Sequence, residues 1–236
     1  MTRTMNRFYR TTGIRAVDDG YAVVLDDRPV KTPQSRAPLV VPTRELAAEA
    51  AAEWDAQGDT VNPATMPVTA IASTALDLDP HRDELVTAIA RHGETDPVCY
   101  WVTEPARLRE WQQAYWQPLL DWLALTYDAR LNVTTGLLPI SQPPDATKAL
   151  TDAVADLDTF HLATLSSAVA ATTSVVIGLA LLDGRFDAES AFNAAELEAT
   201  YQIEQWGEDD EVAERRTRVH TDLHAAERVR RTLVGE

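Results

Sequence analysis

The spacing of apolar positions changes near residue 43. Before it, apolar residues come in short runs at Arg7 to Thr12, Ile14 to Val17, Tyr21 to Leu25 and Leu39-Val40-Val41. Turn residues separate them, at Asp18-Asp19-Gly20 and Asp26-Asp27-Arg28-Pro29. Short β-branched and aromatic runs between such turns predict strands of a small antiparallel sheet. Pro38 and Pro42 place the last run at a sheet edge, because proline cannot donate to a ladder.

From Thr43 the spacing becomes helical. Thr43 is placed to cap a first helix, Glu45 sits favourably in its first turn, and Gly58 is the expected stop. Asp59 to Pro67, with Asn62-Pro63 and Met66-Pro67, reads as a rigid connector. The predicted division is therefore a β-rich domain with one helix over 1–66 and a helical domain over 67–236.

In the second part helices are expected at Val68 to Leu76, then from Asp79 and Pro80 to a stop at Gly93. A longer helix opens at Thr103 and Pro105 and carries Leu108, Trp111, Tyr115, Leu119 and Trp122 on one stripe. Pro118 should kink or restart it. Leu131 to Thr135 reads as a stray strand. Further helices are predicted at Asp145 to Leu157, Thr159 to Leu182, Glu189 to Trp206 and Glu211 to Val234. The fold class is α+β, a small antiparallel β domain followed by a larger, mainly α-helical one.

The Glu189 to Trp206 segment has the most suggestive polar pattern. At 100° per residue Phe192, Ala195, Ala199, Ile203 and Trp206 form one apolar stripe. Glu198, Gln202 and Gln205 follow along one border, and Glu196 lies on the other. Carboxylates and amides beside a seam can bond a partner without full burial of charge. The row contains no nucleophile and no good base, so it suits recognition better than catalysis.

Charge and composition narrow the picture. A formal charge of −16 over 236 residues argues against general nucleic-acid binding, which needs clustered cations. It suits solubility, or a partner with a basic surface. Cys99 is the single cysteine, among apolar and aromatic neighbours, and reads as an inert buried thiol. Thr159 to Leu182 is uncharged, but only Val175 to Leu182 is strongly apolar, so a core helix fits better than a membrane span of ~20 residues. The start lacks an apolar leader pattern, and a cytoplasmic protein is expected.

Sites for chemistry are sparse. The phosphate-binding glycine loops and the serine elbow do not occur. His220 and His224 stand four apart, as in a zinc helix, but Thr221 replaces the expected Glu and both lie off the apolar stripe. They read as exposed histidines, and neither a metal nor a cofactor is expected. The acidic run Glu208 to Glu211 before an Arg-rich helix matches the helix dipole.

A set of motifs in order carries a resemblance. These are Arg7-Phe8-Tyr9, Leu25-Asp26-Asp27-Arg28-Pro29-Val30-Lys31-Thr32-Pro33, Leu39 to Thr43, Glu53-Trp54-Asp55-Ala56-Gln57 and Thr65-Met66-Pro67. They continue through Glu94-Thr95-Asp96, Cys99-Tyr100, Glu104-Pro105, Trp116, Pro118-Leu119, Trp122 and Tyr201-Gln202-Ile203 to Trp206-Gly207. Together they resemble the ATP synthase catalytic-head assembly chaperones that bind the alpha subunit (the Atp-twelve family). Pro97 and Trp101 depart from the family's usual pattern.

The resemblance implies a non-enzymatic chaperone. It would hold unassembled alpha subunit and shield its beta-contacting surface until the hexamer forms, since an unpartnered subunit exposes an apolar patch. By motif position Glu198 matches an acid that the family associates with function, and the helix pattern adds Gln202, Gln205, Glu196 and Trp206 to the expected partner surface. Trp54 matches the Trp of the family's Glu-Trp-Asp motif, but core packing across the domain boundary is the expected role for it, and Asp55 is expected to be structural there too. A bacterial source and a monomeric free state are expected. The alternatives are a chaperone of broader clientele, or a small acidic hydrolase using Glu196, Glu198 or Asp96. Glu196 and Glu198 point about 200° apart on one helix, which disfavours a shared acid-base pair.

Overall fold

The computed structural model describes residues 5–79, 81–136 and 138–235. Its N-terminal part is a small antiparallel sheet region and the remainder is mainly helical. Strand β1 (Met5–Asn6) pairs with β6 (Thr60–Val61). In a second sheet β2 (Thr12–Val17) pairs with β3 (Gly20–Leu25), whose other edge carries β4 (Arg28–Pro29) and β5 (Val40–Val41). The run Arg7 to Thr12 is thus largely not strand. Its backbone is held instead by the turn carboxylate of Asp26, which accepts from the N–H groups of Arg10 and Thr11 at 3.0 and 2.9 Å.

Both predicted hairpin turns form. Asp26 and Asp27 adopt positive φ (45° and 63°), a conformation that Asp tolerates and the strand twist favours. At Gly20 (φ 140°) a Cβ would fall 2.4 Å from the Val41 carbonyl oxygen, so only glycine lets β5 approach.

Helix α1 (Arg44–Asp55) starts as expected, with the Thr43 hydroxyl accepting from Leu46 N–H. It ends at Ala56, and Gly58 lies beyond it without the left-handed φ of a glycine stop. Helix α2 (Pro67–Leu76) has no capping side chain of its own. Glu53 of α1 supplies the cap, its two oxygens accepting from Val68 and Thr69 N–H at 2.8 Å each. Asp77, at the end of α2, reaches back to the sheet and accepts from the Thr32 hydroxyl and from Gln34 and Ser35 N–H. Burial pushes the Asp77 carboxyl up, but the Ser35 and Thr32 hydroxyls and the Gln34 and Ser35 amides outweigh it and hold it at about 2.

Helix α3 (Arg82–Arg91) begins after His81. Pro80, its expected first residue, lies outside the described residues. Gly93 proves to be a packing position, where a Cβ would meet the Leu150 side chain at 2.6 Å. Helix α4 (Ala106–Thr126) runs through Pro118 rather than restarting. Its buried face is Leu108, Gln112, Trp116, Leu119, Leu120 and Leu123, turned from the predicted stripe so that Tyr115 is exposed. The turn has a polar cause: Trp116 donates to the Ala194 carbonyl at 2.9 Å, and Gln112 is bonded at both ends of its amide. The stray strand reduces to one bridge between Tyr100 and Thr134.

After α5 (Pro144–Ala155) the predicted helix over Thr159 to Leu182 is two helices, α6 (Thr159–Thr172) and α7 (Val175–Leu182). Thr173 turns left-handed and Ser174 caps α7. Asp96 enforces the break: wholly buried, it accepts from the Ser174 hydroxyl at 2.7 Å and Val176 N–H at 3.1 Å. Helix α7 is almost entirely buried, as a core helix should be. Among the described residues no helix is long and apolar enough to cross a membrane.

Helices α8 (Ala188–Ala195), α9 (Leu197–Trp206) and α10 (Asp210–Val234) complete the fold. Helix α10 packs across α6, α8 and α2, and Arg228 on it pairs with Glu49 of α1 at 3.5 Å. The buried side chains form one continuous cluster from Tyr9 to Val229.

Burial raises Asp96 from 3.8 to about 6, against the lowering effect of the bonds from Ser174, Val176 and Val98. With the folded value above the unfolded one, its stabilising contribution is complete below pH ~3.8 and is lost as pH rises through about 6. At about 1.4 kcal/mol per unit, Asp96→Asn should remove about 2 kcal/mol of pH dependence between pH 4 and 7.5. Urea unfolding of both proteins across that range measures it.

Candidate functional site

The expected single helix from Glu189 to Trp206 is broken at Glu196, which separates α8 from α9 (φ −98°, ψ 14°). The break abolishes a continuous stripe, because the helical phase does not carry through it. Glu196 is therefore no border residue of an exposed surface. Its side chain is buried (4% exposed) and held by Arg215 through paired bonds of 2.7 and 2.5 Å, and by Arg216 at 3.2 Å. Both arginines lie on α10, and Arg216 also reaches the Thr200 hydroxyl and stacks over Phe192. Glu196 is an anchor, a correction to its expected place in a partner surface.

The break turns α9 so that one side rests on α4. Leu197 is buried, and Tyr201 packs edge-on against Trp111 with ring centroids 5.8 Å apart. Glu204 pairs with Arg107 at 2.8 Å, and the Arg107 guanidinium covers the Trp111 ring. Glu198 is half-buried and accepts from the Gln112 amide at 2.7 Å. The same Gln112, wholly buried, accepts from Val102 N–H at 2.8 Å. Desolvation raises the Glu198 carboxyl and the Gln112 bond partly offsets it.

The other side of α9 faces outward. Gln202 and Gln205 are exposed, and the Trp206 indole, expected at the end of the buried stripe, is 79% exposed. A tryptophan is rarely left this exposed on a solvent-facing helix, and tryptophan is among the residues enriched at interfaces.

Trp54 and Asp55 lie where the N-terminal segment meets α1. The Tyr9 hydroxyl donates to the Trp54 carbonyl at 2.6 Å and its ring packs edge-on to the indole. Asp55 accepts from the Thr12 hydroxyl at 3.1 Å. The residue of this motif that bonds across the 66/67 boundary is Glu53. Trp54 instead lines an open apolar cleft of about 1290 Å³ between the two regions, with Phe8, Tyr9, Met66, Leu78 and Leu85.

The carboxylates of the hydrolase alternative are spoken for. Asp96 is wrapped by structural donors and Glu196 by two guanidinium groups, and neither lines the cleft. Cys99 is buried and its thiol is pushed up to about 12 by burial and the nearby Asp96, so it is an inert thiol. The 96–101 loop is well held despite its unusual residues: Asp96 caps a short turn begun by Pro97, and the Trp101 indole donates to the Val98 carbonyl at 2.8 Å.

Residues 6–124 match the sequence model of a family described as ATP12 chaperone protein. The chain belongs to the ATP12 chaperone family. Atp12 from Paracoccus denitrificans has 34% identity and a TM-score of 0.86, over 96% of this chain and 97% of that one. A variant of that protein with one aspartate replaced by lysine gives 34% and 0.85, over 95% and 96%. Atu1473 from Agrobacterium tumefaciens gives 34% and 0.89, over 98% and 87%. Membership supports a chaperone role in ATP synthase assembly and speaks against the hydrolase reading.

Of the anchors of this ATP12-family chain, Gln112 has no local signal and Arg215 and Arg216 stand out only as members of the Arg-rich last helix, whereas Glu53 opens the Glu-Trp-Asp motif. Glu196→Ala should cost about 2 kcal/mol, less than the loss for a wholly buried pair because Arg215 is half-exposed. That corresponds to a drop in Tm of roughly 5 °C for a chain of this size. An unchanged Tm in a thermal melt would remove Glu196 as the anchor.

Proposed function

We propose that this chain binds the unassembled ATP synthase alpha subunit and shields its beta-contacting surface, with the outward side of α9 as a principal contact. The observation that carries this is the exposed Trp206 on a helix whose opposite side is held by Leu197, Tyr201 and Glu204, with half-buried Glu198 fixed at the border by Gln112. A rigid support lowers the ordering cost of binding, and the outer residues stay free for a partner. Gln202 and Gln205 supply donors and acceptors at its rim, and Glu198 a negative charge. The net charge of −16 adds long-range attraction to a basic partner surface.

Residues 1–66 and 67–236 would act as two domains joined through Glu53 and Asp77, with Trp54 and Asp55 fixing the first. The chain would be monomeric when free, need no cofactor and work in a bacterial cytoplasm, which its Paracoccus and Agrobacterium relatives support.

The test is co-expression with the alpha subunit of the same organism, capture on a tag, and addition of beta. Soluble alpha should be captured and then released by beta. Trp206→Ala should weaken capture about tenfold while leaving the melt unchanged, as for an aromatic at an interface centre. Glu198→Lys should weaken it similarly through charge reversal, and Glu198→Gln should retain most binding because it still accepts from Gln112. Capture equal in all three variants, with folded proteins by circular dichroism, would move the contact away from α9. Capture of many unrelated proteins in an unbiased pull-down would favour the broader clientele.

A further inference from the structure

Helix α8 meets α10 at a second place, two turns before Glu196. Glu189, in the first turn of α8, faces His220 and His224 on α10. We propose that these three side chains form a binding site for a divalent transition metal, zinc first. Glu189 Oε2 lies 2.9 Å from His220 Nε2 and 3.4 Å from His224 Nε2, and the two Nε2 atoms are 3.1 Å apart.

This triangle is hard to satisfy with protons alone. A neutral imidazole nitrogen either donates or accepts. If both Nε2 atoms donate to an ionised Glu189, the Nε2–Nε2 contact sets two N–H groups against each other. If either gives up its proton, its lone pair opposes the carboxylate. One metal ion removes the conflict by taking a lone pair from all three atoms. With metal–ligand distances of about 2.0–2.1 Å a tetrahedral site has ligand–ligand edges of about 3.3 Å. The observed edges bracket that value.

Two imidazoles and a carboxylate are a zinc-type donor set, with a fourth position open to water or a partner's ligand. The ligands are partly exposed, so an ion has access. The Phe192 ring packs edge-on to His220, with centroids 5.1 Å apart, and steadies that ring. Asp187 and Glu227 sit beside the site at the start of α8 and add negative charge, while Arg216 lies behind Phe192. The spacing of the histidines is visible in the sequence, but their third ligand comes from another helix 31 residues away from His220.

Zinc there would tie the first turn of α8 to α10, as Glu196 ties its end. The experiment uses the full chain without a histidine tag, stripped of metal. Zinc titration by calorimetry should give one site per chain, and cobalt(II) should develop the visible absorption of a tetrahedral ion. Zinc should raise Tm in the native protein and not in His220→Ala or Glu189→Gln, whose zinc affinity should fall at least tenfold. Folding of the variants is checked by circular dichroism, since these side chains lie at the surface. Failure of one-to-one binding, or binding unchanged in a His220→Ala, His224→Ala double variant, would overturn the proposal. Neither result depends on the alpha subunit.

Discussion

The position of α9 depends on a carboxylate that it does not itself carry. Glu196, buried between Arg215 and Arg216, fixes where α8 ends and α9 begins. The Trp116 indole holds the Ala194 carbonyl at the same junction, and in a continuous helix Trp206 would instead share a stripe with Phe192. Burying a charge is costly unless it is paired and bonded, and two guanidinium groups meet that requirement. The result is a rigid corner, and the outward face of α9 follows from it.

The same device recurs through the molecule. Glu53 starts α2, Asp96 starts α7, and Asp77 ties the end of α2 to the 32–35 loop of the sheet. In each case an acid from one element binds backbone or hydroxyl donors of another. Helix N-termini favour negative charge and leave unpaired N–H groups, so an acidic chain has the right side chains for such joints. These joints are directional, which hydrophobic packing is not, and they set where helices start within a continuous core. Rigid placement also serves binding, because less order remains to be lost when a partner arrives.

Much of this architecture was legible. The change from short alternating runs to helical spacing near Thr43, the Asp-Asp turns and the Thr43 cap all depend on neighbours in sequence. The breaks at Thr173 and Glu196 were not legible, because the apolar spacing continues through both. Each is imposed by a residue distant in the chain, Asp96 for the first and Arg215 with Arg216 for the second. The apolar spacing puts Trp206 on a buried stripe for the same reason. Gln112 has no signal inside its helix, since its partners at Val102 and Glu198 appear only once the chain is folded. The row Glu198, Gln202 and Gln205 is visible in the spacing, whereas the burial of Glu196, the half-burial of Glu198 and the exposure of the two amides depend on the corner.

The most direct test of the account is hydrogen–deuterium exchange on the free chain and on its complex with the alpha subunit. A partner seated on Trp206 and its amide neighbours should slow exchange most over residues 197–206, with little change in the buried helix α7. Unchanged exchange over 197–206, with protection gathered instead around Phe8, Trp54 and Leu85 in the apolar cleft, would contradict the claim that α9 is the contact face.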